Sequence, residues 1–138
     1  MKTLDTRIIC LLAALAGGLA VPAAAHHSAA MFDKEKVLKV AGKVKEVQWT
    51  NPHVAIYVEE AAASGAAPLL WLCELTSPGN LARLGWSKSS IKAGDKVTIE
   101  FNPLRNGKRG GWLKKITLAD SGQTYTNDIF AQENPNLK

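Results

Sequence analysis

The chain has only two cysteines and three histidines in 138 residues, which confines any thiol or imidazole chemistry to a few places. Cys10 lies inside an apolar N-terminal run, and Ile8 and Ile9 stand where a lipoprotein signal requires a small residue. Once that segment is removed, Cys73 is the one cysteine left, and an intramolecular disulfide is excluded. Its setting, "LLWLCEL", is apolar, as expected of a buried and inert thiol. The longest apolar run, Ile8 to Val21, falls short of the about 20 apolar residues that a membrane-spanning helix needs. Also missing are Gly-x-Ser-x-Gly, His-Glu-x-x-His, a phosphate loop and a dinucleotide fingerprint. Cys73 with His53 is the only nucleophile and base worth pairing, and strand parity makes their geometry poor. Glu59 and Glu60 are adjacent on a strand, so they point to opposite faces and form no acid/base dyad. The expectation is a protein that is not an enzyme.

What is present begins with a secretory signal. Lys2 and Arg7 give a basic start, partly offset by Asp5; the apolar run follows; Ala23-Ala24-Ala25 then supplies the small-x-small pattern of a peptidase site. A cut after Ala25 is favoured over one after Ala23, and makes His26 the first residue. The expected organisation is a signal peptide over 1–25, an N-terminal arm over 26–36, one domain over 37–126 and a loosely held tail over 127–138. The expected location is the periplasm. A formal net charge of +5 is a mild basic balance that does not by itself imply nucleic acid.

From Val37 onward the dominant pattern is alternation, so the domain reads as mainly β. Leu38, Val40, Gly42 and Val44 share one face, and Lys39, Lys43 and Lys45 the other. Val47 and Trp49 then carry the apolar side one residue out of phase, which predicts a bulge near Lys45-Glu46. Thr50-Asn51-Pro52 is a turn, followed by strands over His53–Glu59 and Leu69–Leu75. If these two form a hairpin, Cys73 falls opposite Ile56. Ser77-Pro78 reads as a helix cap and first helical residue, with Leu81 and Leu84 facing inward and Gly85 as the stop. Val97, Ile99 and Phe101 mark a fourth strand, Trp112 to Ala119 a fifth, and Thr124-Tyr125 a short sixth. Three strands, a helix and two strands is the order of an OB-fold, and the predicted fold is a small five-stranded OB-like barrel with the helix between strands 3 and 4.

Four segments, "AHHSAAMFD", "VAGKVKEVQWTNPHVAIYVE", "LTSPGNLARLGW" and "IKAGDKVTIEF", resemble the recurrent segments of a family of small exported bacterial proteins, the domain of unknown function DUF6152. The resemblance covers nearly all of the mature chain up to the fifth strand. It implies histidine just after the signal, Asn-Pro-His before the second strand and Ser-Pro-x-x-Leu opening the helix. It also implies a larger apolar residue in many relatives where this chain has Cys73, which argues against cysteine chemistry. No activity comes with it.

Two sets of side chains remain as candidates for binding. If His26 is the mature N-terminus, its α-amine and ring nitrogen can chelate one ion, because a free α-amine (about 7.7–8.0) and an imidazole (about 6.5) are both available as neutral donors at mild pH. Nitrogen donors in a tetragonal arrangement suit Cu(II). His53 or His27 would supply a further nitrogen. If Ala25 is first instead, His27 becomes the third residue and a square-planar Cu(II) or Ni(II) site results. The second set is the basic loop "NPLRNGKRGG", with Arg105, Lys108 and Arg109 as an anion- or partner-binding patch. Nucleic acid is not an expected partner, since Trp49, Trp71, Trp86 and Trp112 read as core or edge packing rather than as stacking platforms. The leading expectation is a periplasmic binding or adaptor module for an envelope protein or anionic envelope component. The alternative is a small copper-binding protein.

Overall fold

A computed structural model describes residues 29–62 and 66–128. The order of elements is β1 (Leu38–Gln48), β2 (Ala55–Glu60), β3 (Leu69–Glu74), helix α1 (Pro78–Arg83), β4 (Lys96–Pro103), β5 (Gly110–Leu118) and β6 (Thr124–Thr126). Neighbouring strands run β3-β2-β1-β4-β5-β6, and a parallel pairing of β3 with β5 closes the first five into a mixed barrel. This is the OB-like barrel expected from the strand pattern, with its one short helix between β3 and β4.

β1 can serve both halves of the barrel because it is long and bent. Leu38–Lys43 pair with β4, whereas Lys43–Gln48 pair with β2. The register of the second pairing shifts between Val44 and Glu46, placing the extra residue at Lys45, within the pair where the phase of the apolar positions changes. Hydrogen bonds from Val44 N to Asp95 O and from Gly94 N to Val44 O hold the bend against the turn that leads into β4.

The inward side chains interleave from all five barrel strands: Val44, Ile56, Cys73, Ile99, Phe101 and Ile116 are all essentially inaccessible to solvent. Ile56 is indeed the cross-strand partner of Cys73. α1 starts at Ser77, whose Oγ accepts from Asn80 N (3.4 Å), and it covers one end of the core with Leu81. Gly85 ends it with φ 84°, a left-handed conformation that glycine adopts without a Cβ penalty. Trp86 then turns inward, donates from Nε1 to Thr126 O (2.7 Å) and packs on Tyr125.

Two segments outside the strands are tied to the barrel. Ala29–Met31 form a short 3-10 turn, Phe32 is buried and bridges to Leu104, and Asp33 N donates to Pro103 O (2.8 Å). The described part of the arm is therefore packed on the β4–β5 loop. At the other end, Asn127 was expected to begin a loose tail, yet it is buried. Its Oδ1 accepts from Thr76 N (3.0 Å), its Nδ2 donates to Leu113 O (2.9 Å) and its own N donates to Lys114 O (3.0 Å). Continuing the parallel β3–β5 ladder by one rung would pair Thr76 N with Leu113 O. The Asn127 carboxamide fills that rung where the two strands part.

Candidate functional site

The end of the barrel that receives the arm gathers the chemistry-bearing side chains. Ala55, Glu74 and Trp112 are successive cross-strand neighbours on β2, β3 and β5. Ile56, Cys73 and Leu113 point into the core, so these three positions point out, as does His53 two residues before Ala55. His53 Nδ1 lies 3.5 Å from Glu74 Oε2, and the imidazole meets the Trp112 indole edge-on with ring centroids 5.7 Å apart. Phe32 of the arm packs on the same indole at 5.8 Å. A continuous row, Phe32–Trp112–His53–Glu74, thus runs from the arm over β5 and the segment leading into β2 to the end of β3.

The arm is fixed to this end by Arg105. Its backbone N donates to Met31 O (2.9 Å), its Nε donates to Ala30 O (3.2 Å), and its guanidinium lies 3.8 Å from Asp33 Oδ1. Asn102 adds a second fastening, donating from Nδ2 to Lys36 O (2.7 Å). Arg105 was read from sequence as part of an anion-binding loop; in the fold it is engaged with the arm. Lys108 and Arg109 are exposed, and the Lys108 backbone closes a local turn onto Asn106 Oδ1.

The chemical capacity of the row follows from the His53–Glu74 pair. A carboxylate beside Nδ1 favours the tautomer with its hydrogen there, which leaves the lone pair on Nε2. Imidazole nitrogen and carboxylate oxygen are both donors for first-row metal ions. Among the described residues no three histidine, cysteine, aspartate or glutamate side chains form a group able to hold a metal. His26 and His27 lie outside the described residues. Cys73 contributes nothing to the row, because it faces the opposite side of the sheet and burial pushes its thiol well above the ordinary range. Among the described residues no helix is long and apolar enough to cross a membrane.

Sequence reasoning did not single out Glu74, Phe32 or Trp112. Glu74 looks like any outward charge on an alternating strand. Trp112 was read as core or edge packing, but β5 shifts register opposite Glu100 and Phe101, and with the extra residue at Lys114 Trp112 faces outward.

The family model described as "Family of unknown function (DUF6152)" matches residues 14–114. The chain belongs to this family. The DUF6152 match takes in the arm, His53, Glu74 and Trp112, and stops short of β6 and Asn127. Neither a curated protein nor a solved structure matches the chain.

Proposed function

We propose that this chain is a periplasmic, non-enzymatic binding module, and that its ligand is a copper ion held where the N-terminal arm meets the barrel. The observation that carries the reading is the clamp on the arm. Arg105 and Phe32 fix the segment that follows His26 and His27 beside Trp112 and His53. His26 stands three residues before Ala29, so an extended connection reaches roughly 10 Å from the anchored turn. Its amine and imidazole, or the imidazole of His27, would join His53 and Glu74 in a nitrogen-rich set with one carboxylate, which suits Cu(II). Against thiol catalysis stands the burial of Cys73, the cysteine of the described residues, which holds it as a thiol.

The intact mass of the exported protein fixes its first residue. Cu(II) is then titrated into that form, into a form with an added N-terminal glycine-serine, and into His53→Ala. Each change is expected to weaken binding by more than about tenfold. Equal affinity with the extension removes the amine from the site, and equal affinity in His53→Ala removes the barrel from it. Metal-free protein isolated from a copper-replete periplasm would favour the adaptor role instead.

A further inference from the structure

We infer that the outer face of β1, β4 and β5 is a docking surface for an extended anionic polysaccharide, a role separate from the arm end of the barrel. Lys43 and Lys96 are direct cross-strand partners on β1 and β4, and both are exposed. Like charges placed opposite one another destabilise a sheet, so the pair is a cost unless something anionic lies over it. Among the described residues neither lysine has an ion-pair partner. The carboxylates nearby are committed elsewhere. Glu59, the neighbour of Lys43 on β2, pairs with Lys45 (3.0 Å), and Asp95, next to Lys96, pairs with Lys92 (3.1 Å).

A second cationic row lies further along the same face. Lys39 and Lys115 flank Glu100 and share its Oε1 at 3.8 and 3.0 Å, so one carboxylate serves two ammonium groups. Between the two rows the neighbours are Ala41, Thr98, Thr117 and Thr124, a floor of small side chains whose Thr117 and Thr124 hydroxyls are 3.1 Å apart. Four residues of strand separate Lys39 from Lys43, which sets the lysine rows roughly 13 Å apart. The face is thus a hydroxyl-bearing strip with an unpaired lysine couple on one side and two lysines sharing one carboxylate on the other.

The chemistry of the strip selects among polyanions. Single-stranded nucleic acid would call for aromatic platforms, but Trp49, Trp71 and Tyr125 pack against the core, Trp86 belongs to it, Trp112 stands at the arm end, and the outward Tyr57 lies beside Glu46, past the β1 bulge and off this floor. A membrane surface or a protein partner would call for an apolar wedge or anchor, and this floor has only Ala41 and threonines. A chain with repeated carboxylates and hydroxyls meets both the lysines and the threonine floor.

The test uses alginate fragments as the polyuronate probe, with the chain expressed from its full coding sequence, purified as processed and kept in chelator so that metal plays no part. Wild-type protein is expected to bind, and to lose affinity as salt rises from about 0.05 to 0.3 M. Lys43→Ala with Lys96→Ala should weaken binding about five- to thirtyfold, while Lys108→Ala with Arg109→Ala leaves it within about twofold. Lys43→Gln with Lys96→Gln, which retains polar side chains, must show the same loss with an unchanged circular dichroism spectrum. The proposal is overturned if wild-type protein does not bind alginate, or if the loop variant loses as much as the strand variant. Equal or tighter binding to a DNA oligonucleotide or to phosphatidylglycerol vesicles overturns it as well.

Discussion

Cys73 has no surface open to solvent, and its burial has a measurable consequence. The native thiol stays protonated where an unfolded one ionises, at about pH 8.5 and above. The unfolded state then holds fewer protons than the native one, so stability falls with rising pH by up to about 1.4 kcal/mol per unit. Urea melts at pH 8 and 10 should show this alkaline loss in the wild type, and Cys73→Ala should lack this part of it. A wild-type curve that parallels the variant would show the thiol ionising in place. Cys73 was legible because every neighbour in "LLWLCEL" but one is apolar and alternation puts it opposite Ile56. Glu74, one residue on, was not legible as a site residue. Its role comes from His53, just before β2 on one side, and from Trp112 of β5 on the other, and neither pairing is written in local spacing.

Among the elements, the bulge in β1 could be read from the sequence and the arm could not. A bulge leaves a signature inside one segment, a slip of the apolar phase from Val44 to Val47. The arm has no periodicity. It is ordered by groups about 70 positions away, through Arg105 and Asn102. Arg105→Ala removes the Nε–Ala30 hydrogen bond and the contact with Asp33 and leaves the core untouched. The expected cost in global stability is under about 1.5 kcal/mol, because the side chain is more than half exposed. Hydrogen exchange should nevertheless speed up at the Asp33 amide, which donates to Pro103 O, and stay unchanged at Ile99 in the barrel wall. If the copper reading holds, the same variant binds Cu(II) more weakly. Unchanged exchange at both amides would mean that the Arg105 side chain does not hold the arm, leaving Phe32, Asn102 and the backbone hydrogen bonds to do so.

At the scale of the whole molecule, closure depends on a short parallel seam. β3 and β5 share three paired positions, and the next rung is supplied by the Asn127 side chain. Asn127→Ala leaves Thr76 N and Leu113 O without these partners at a buried position, and should lower stability by about 1–3 kcal/mol in urea titration. Asn127→Asp keeps an acceptor for Thr76 N but loses the donor to Leu113 O, so it should not restore the wild-type midpoint. The barrel order was legible from alternation and from the position of Ser77-Pro78, whereas the seam joins segments far apart in sequence and no single stretch encodes it. That distance also sets a direction in time. If the proposed export holds, a chain threaded N-terminus first through a narrow translocation pore delivers β1 to β5 before Asn127. The barrel wall can assemble as the chain emerges, but its last rung waits for residue 127, and until then the parting of β3 and β5 is the place where a chaperone could still hold the protein open.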